Sequence, residues 1–212
     1  QDIGAKMLLT LLFTLRGTPF LYMGEEVGAR DYPKPLNLEN CSDCVTSAVY
    51  NLAKKKFHLP KFIAKRIGWQ SSRDDSRAPM AFNNEEGYGF ASKGVTPWQV
   101  YNSNGAIYNY ENEKDDPKSI FAYFKKINEL RETNKTFVYG TIGFMDTKKE
   151  ILNYIRKDKD KAYMVILNLT NKNVKYPLGF NEVDKSLVLS NYDDKANKMR
   201  PYEASIYELK IK

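Results

Sequence analysis

The stretch from Gly17 to Gly28, GTPFLYMGEEVG, constrains this chain more than any other. A short apolar run, Phe20 to Met23, is led in by Gly-Thr-Pro and closed by two adjacent carboxylates, Glu25 and Glu26, lying between Gly24 and Gly28. Pro19 biases the chain toward extended backbone, and an apolar run of this length bounded by glycines suits a strand covered on both faces. The same run also suits a buried helix, so its neighbours must decide. Acidic groups just past the C-terminal end of a parallel strand suit the mouth of an α/β barrel.

The preceding residues complete the unit. From Ile3 to Leu15, residues Met7, Leu8, Leu11, Leu12 and Leu15 recur at helical spacing, and Leu9 and Phe13 widen the apolar arc. That width predicts a helix covered over much of its surface, and Arg16-Gly17 ends it. Helix, tight connection and apolar strand make one α-to-β step of a barrel or doubly wound sheet.

Beyond Gly28 the chain turns irregular from Ala29 to about Asn40, with Pro33 and Pro35. Thr46 to Phe57 then reads as a short helix carrying Val49, Leu52, Ala53 and Phe57 inward and its lysines outward. Gly68 to Asn112 has little periodicity and many Gly, Asn, Ser and aromatic residues. Loops this long within compact proteins are usually functional, which favours a substrate-side insertion spanning residues 29–116. Within it, SSRDDSRAPMAF sets Arg73 and Arg77 around Asp74 and Asp75. An arginine can fork onto a carboxylate while donating to a hydroxyl, so this cluster suits either a sugar-hydroxyl anchor or surface charge pairs. Thr96-Pro97-Trp98 sets a large aromatic after a proline turn, to pack or to line a rim.

Asp116 and Pro117 suit the N-cap and first position of a helix, with Ile120, Phe121, Phe124, Ile127 and Leu130 on one face. Lys125, Lys126, Glu129 and Arg131 should face outward, and the helix should stop near Asn134. After Thr136 the texture changes to β-rich runs: VYGTIGFMD, EILNYIRKD, KAYMVILNLT, NVKYPL, KSLVLSN and EASIYELKI. Evenly spaced strands without helices predict an antiparallel sandwich or sheet, with nothing in it resembling a reaction centre.

Charge and rare residues narrow the chemistry. The net charge is +7, but the 33 basic residues are scattered among 26 acidic ones, and the densest run is Lys54-Lys55-Lys56. That pattern reads as a solvated lysine-rich face, not a phosphate-binding stripe, so nucleic acid is not an expected partner. The one histidine, His58, leaves no parts for a histidine metal cluster or a Ser-His-Asp triad. Cys41 and Cys44 form a single CxxC, half of a structural zinc ligand set, and read as free thiols in a surface loop. No metal and no cofactor is expected. The longest apolar run is too short to span a bilayer, so no membrane segment is expected either. The opening QDIGAKMLLTLL, which does not begin with methionine, reads as internal to a longer parent and leaves the compartment open, a cytoplasmic one being favoured over a secreted one.

Taken in order, AKMLLTLLFTLRGTPFLYMGEEVG, RDDSRAPMAF, TPW, SIFAYFKKINELRETNKTFVYGT and the C-terminal β-runs resemble the C-terminal part of glycoside hydrolase family 13, the α-amylase family. The look is that of its oligo-1,6-glucosidase and maltase branch. The resemblance implies a fold of class α/β plus all-β. Residues 1–135 would be the C-terminal part of a (β/α)8 barrel, with its last helices and eighth strand, and 136–212 a β-sandwich domain. It also implies a retaining mechanism with an aspartate nucleophile, a glutamate acid/base and a second aspartate, all upstream of Gln1. Glu25 and Glu26 then stay structural. Arg77 matches the family arginine of RTPM that holds the terminal glucose, and Arg73 is a weaker substrate-binding candidate. Ala78, Ala81, Phe82 and Met23 depart from the family pattern, as does the CSDC region.

The expected function is thus a C-terminal segment of an α-glucosidase acting on α-linked gluco-oligosaccharides, inactive alone. The alternatives are a noncatalytic relative, such as a transporter heavy-subunit ectodomain or a binding module, or a transglycosylating member such as a trehalose synthase or sucrose isomerase. Without upstream residues, the Phe20 to Met23 strand would lack both neighbours. The expected partner is then the missing N-terminal barrel portion, or a second copy joined through residues 3 to 23.

Overall fold

The computed structural model describes residues 2–33, 36–37, 41–194 and 196–210, without the side chain of Asp75. Its helices are α1 (Asp2–Thr14), α2 (Cys44–Asn51), α3 (Lys61–Gln70), α4 (Tyr110–Glu113), α5 (Ile120–Thr133) and α6 (Lys135–Tyr139). Its strands are β1 (Thr141–Phe144), β2 (Ile151–Lys157), β3 (Ala162–Asn168), β4 (Lys185–Ser190) and β5 (Ala204–Leu209). The chain forms two compact units, Gln1–Tyr22 with Asp116–Lys212, and Met23–Asp115.

In the first unit the strands form one antiparallel sheet in the order β1-β2-β3-β5-β4. The central strand β3 is buried at every residue, which explains why AYMVILN is an unbroken apolar run rather than an alternating one. Tyr163, Val165 and Leu167 join α1 and α5 in one core with Met7, Leu9, Phe13, Ile120, Tyr123 and Ile127. Met164 and Ile166 face the other way, into a smaller core with Ile151, Phe180, Met199 and Tyr207. Each fully buried large apolar side chain contributes about 1.5–3 kcal/mol, so the helix-facing core dominates the stability of this unit. Two buried hydroxyl pairs pin α1 further: Thr10 with Tyr123 at 2.7 Å and Thr14 with Tyr154 at 2.5 Å. Burial pushes the Tyr154 phenol up to about 12, so it stays protonated across the ordinary pH range.

Several expectations change. Phe20 to Met23 forms no strand: Phe20 is 84% exposed and Met23 63%. A strand needs neighbours for its backbone groups, and none of the five described strands pairs with this run. The tight turn after it does form, with Gly24 at φ 97° and Gly28 at φ 66° flanking a short helical turn over Glu25–Val27. The two-sheet sandwich is replaced, among the described residues, by one sheet covered by helices on one face. NVKYPL contributes only the isolated bridge Val174–Met199. A short helix, α6, also precedes β1. The end of EASIYELKI at Ile211 lies outside the described residues, as do Pro35 and residues 38–40 of the early loop.

Helix α5 begins at Ile120, with Ser119 as its cap, its hydroxyl accepting from Ala122 N at 2.9 Å. Asp116 instead closes the turn before it, accepting from Lys118 N at 2.8 Å. Arg131 does not face outward. It is buried and donates to Phe13 O at 2.7 Å and Leu15 O at 3.1 Å, and also to Gly17 O. It therefore covers the C-terminal carbonyls of α1, where a cation is favoured.

In the second unit α2 continues as one wide helical turn over Leu52–Lys56, and α3 packs back against it. The close approach rests on small residues. Ala53, Ala64 and Gly68 are buried, and a side chain at Gly68 would meet Thr46 O at 3.0 Å. The remainder, to Asp115, is a series of tight turns and the single turn α4.

Candidate functional site

The candidate site is the RDDSR segment of the second unit. Ser72 Oγ accepts from Asp74 N at 3.2 Å and starts a short helical turn over Asp74–Arg77, which ends at Ala78 because Pro79 follows. The Asp74 side chain is fully buried, and its Oδ2 accepts from Ser42 N at 2.9 Å and Asp43 N at 3.2 Å. Asp43 is buried too and caps α2, its Oδ1 accepting from Val45 N at 3.2 Å. Arg73 closes the clasp by donating Nε to Asp43 Oδ2 at 3.2 Å and Nη2 to Oδ1 at 2.8 Å, with its own backbone N–H to Oδ2 at 2.9 Å. The CSDC loop and the arginine segment are therefore one hydrogen-bonded structure, where surface charge pairs were one of two expectations.

The two arginines have different lives. Arg73 is committed to Asp43 in a forked, bidentate pair. Arg77 is held more loosely: its Nη1 lies 3.7 Å from Asp74 Oδ1, beyond hydrogen-bond distance, and its side chain is 31% exposed. Asp74 Oδ1 is buried and accepts no hydrogen bond, so it faces Arg77 through charge alone, while the partly exposed guanidinium can donate to a hydroxyl-bearing ligand. Gln99 stands alongside through Ser42, whose hydroxyl donates to Gln99 Oε1 at 3.1 Å, while Gln99 Nε2 is buried without an acceptor. Trp98, next in sequence to Gln99, is 73% exposed.

Sequence reasoning singled out Arg77 and, more weakly, Arg73, with Asp74 lying between them, and passed over Asp43 and Gln99. Asp43 had a readable signal, an aspartate immediately before a helix. Gln99 had none. Glu26 is structural, its Oε2 accepting from Gly24 N at 2.8 Å. Neither Cys41 nor Cys44 forms a disulfide, the second opening α2, and His58 is exposed. Among the described residues no three His, Cys, Asp or Glu side chains gather in a way that could hold a metal ion. No described helix is long and apolar enough to cross a membrane.

The clasp makes this unit acid-sensitive. The Arg73 guanidinium and backbone N–H hold the Asp43 carboxyl well below its ordinary 3.8. A carboxylate with a depressed folded value contributes stability above the unfolded value and loses it as pH falls below. Both tryptophans, Trp69 and Trp98, lie in this unit, so their fluorescence reports on it. The urea midpoint by tryptophan emission is expected to be flat above about pH 5 and to fall steadily below pH ~4. Asp43→Asn should lower the plateau and flatten that acid slope; an unchanged slope would show the clasp contributes nothing.

Comparison with known proteins bears on this geometry. The family model described as the α-amylase catalytic domain matches residues 1–140. The chain is 32% identical over 217 residues to an oligo-1,6-glucosidase of Parageobacillus thermoglucosidasius, covering 98% of this chain and 38% of that enzyme. It is 31% identical over 172 residues to a glucan 1,6-alpha-glucosidase of Streptococcus pneumoniae, covering 81% of this chain and 31% of the enzyme. Among solved structures, the trehalose-6-phosphate hydrolase of Bacillus licheniformis superposes with a TM-score of 0.87 at 30% identity, over 98% of this chain and 39% of its own. An isomaltulose synthase of a Klebsiella species superposes with a TM-score of 0.88 at 26% identity, over 99% and 38%. The chain thus spans less than two-fifths of the length of these relatives.

Proposed function

Because this chain belongs to the α-amylase family of glycoside hydrolases, we propose that it is the C-terminal part of a retaining α-glucosidase acting on α-linked gluco-oligosaccharides, with Arg77 as its sugar anchor. The observation carrying this reading is the Arg77–Asp74 pair, a partly exposed guanidinium beside a buried carboxylate oxygen that has no hydrogen-bond partner. The guanidinium can donate to a sugar hydroxyl from its exposed side while the buried carboxylate behind it holds its charge in place. Arg73 is secondary in this reading, since Asp43 already occupies its fork. Residues 1–135 are assigned to the end of a (β/α)8 barrel with its loop insertion 29–116, and 136–212 to the C-terminal β-domain. The compact units divide differently, since α1 and α5 pack on the sheet.

The carboxylates that cleave the glycosidic bond are assigned to a preceding barrel portion. That portion is also the proposed partner of the apolar residues Leu8, 59% exposed, and Phe20, with self-association replacing it in isolation. The chain is expected to release no glucose from maltose, isomaltose or a nitrophenyl α-glucoside, and to run in size-exclusion chromatography above its 24.5 kDa. Turnover abolished by Arg77→Ala would overturn the assignment of the carboxylates, and a well-ordered monomer would overturn the association. A transglycosylating parent is the second reading, favoured by the likeness to the isomaltulose synthase. Sucrose supplied to the parent protein separates the two: an isomeric disaccharide product supports the second, and free glucose with fructose the first.

A further inference from the structure

The helical hairpin of α2 and α3 carries a charge pattern that the glycosidase reading does not use. Lys54, Lys55, Lys56, Lys61, Lys65 and Arg66 fall within residues 54–66, and no acidic residue occurs from Cys44 to Arg73. Outside these six cations the chain has 27 basic residues against 26 acidic ones, so the hairpin holds nearly all of the net +7. None of the six has an ion-pair partner among the described residues, and only Lys65 is engaged, donating to Asn37 Oδ1 at 3.1 Å.

The apolar residues of the hairpin are inverted relative to an ordinary packed pair. Its seam is built from small side chains, Ala53, Ala64 and Gly68. Three of its large ones are exposed instead: Phe62 is 74% exposed, Phe57 61% and Leu52 48%. Residues 54–58 and 60–62 are all exposed, so the turn between the helices protrudes with a phenylalanine on either side of it.

We propose that this hairpin tip docks on an anionic phospholipid surface. Phe57 and Phe62 would enter the boundary between headgroups and acyl chains. The lysines, long enough to keep their ammonium groups in the headgroup layer, would pair with lipid phosphate and carboxylate groups. Charge complementarity selects the partner: six uncompensated cations favour an anionic surface, and two protruding phenylalanines add apolar insertion that free phosphate cannot reward. A single-stranded nucleic acid would also accept cations and aromatic rings, but it is held in a groove that tracks the backbone, and these rings flank a protruding turn.

The test is sedimentation of the full chain with vesicles of phosphatidylcholine alone or mixed with phosphatidylserine, at low and at physiological salt. Binding is expected only to the mixed vesicles and weaker in the higher salt. Each lysine near such a surface is worth roughly fivefold, so Lys54→Gln, Lys55→Gln and Lys56→Gln together should weaken binding by about a hundredfold. Phe57→Ser with Phe62→Ser should remove the part that survives physiological salt. All five positions are exposed, and circular dichroism of the variants checks that the fold is intact. No binding to mixed vesicles, equal binding to neutral ones, or variants that bind as the parent chain does would overturn the proposal. So would tighter binding to a single-stranded oligonucleotide that vesicles fail to displace.

Discussion

Arg156→Met is expected to lower the unfolding free energy by about 3 kcal/mol, a large share of the 5–15 kcal/mol that holds a typical domain together. The side chain is fully buried and has no carboxylate partner among the described residues. Its guanidinium instead donates to four backbone carbonyls: Thr14 O at 2.5 Å, Thr136 O and Gly140 O at 3.0 Å, and Thr141 O at 3.2 Å. Burial first, and then the nearby charge of Arg131, pulls its pKa below the ordinary arginine value. Removing the charge relieves that desolvation, which works in favour of the variant. Methionine also fills most of the space. The loss still wins, because Thr14 O and Gly140 O, both in buried residues, lose this donor at once and each unmet buried carbonyl costs about 1–3 kcal/mol, whereas Thr136 O keeps Gly140 N and Thr141 is exposed to water. Urea unfolding followed by far-UV circular dichroism should show a midpoint more than about 1 M lower with an unchanged slope. A change below about 1 kcal/mol would mean that water or backbone movement satisfies those carbonyls.

Gly140→Ala is expected to be comparably damaging for a steric reason. The backbone there, at φ −59° and ψ 156°, is one that any residue adopts, so conformational preference is not the obstacle. A Cβ on Gly140 would collide with Thr136 O, and it would sit 2.9 Å from Lys157 O. Both are backbone atoms and cannot rotate aside, and Thr136 O is also an acceptor for Arg156. Relieving the clash must therefore move the end of α6 or the edge of β2 and disturb the arginine network, for a cost of about 3 kcal/mol. Gly143→Ala is the matched control, since a Cβ there meets nothing within 4 Å. Its unfolding midpoint should be unchanged within error; equal loss in the two variants would refute the steric account.

Much of the molecule was legible locally. The 3.6-residue pattern placed α1 and the body of α5, and the β-rich runs placed all five strands, because burial of one face leaves a periodic trace in the residues themselves. Helix α3 left no such trace. Its buried seam is Ala64 and Gly68, while Phe62, the residue that looks most like core, is outside. The candidate site was half legible: Arg73, Arg77 and Asp74 stand together in the chain, but Asp43 lies some 30 residues away and reaches them only because the turn before α2 folds onto RDDSR.

The amino-acid sequence by itself determined the family, through several short motifs in one order, and the helix or strand character of most segments, through periodicity. Only the tertiary structure decided what the arginines do. Arg131 reads from its helical position as a solvent-facing charge, yet it and Arg156 cover backbone carbonyls contributed by distant segments, while Arg73 clasps a buried aspartate. It also decided the fate of Phe20 to Met23, whose composition suits a strand and which forms none here. The physical reason is common to both: a hydrogen bond requires a partner, and the partner's position belongs to the fold rather than to the neighbouring residues.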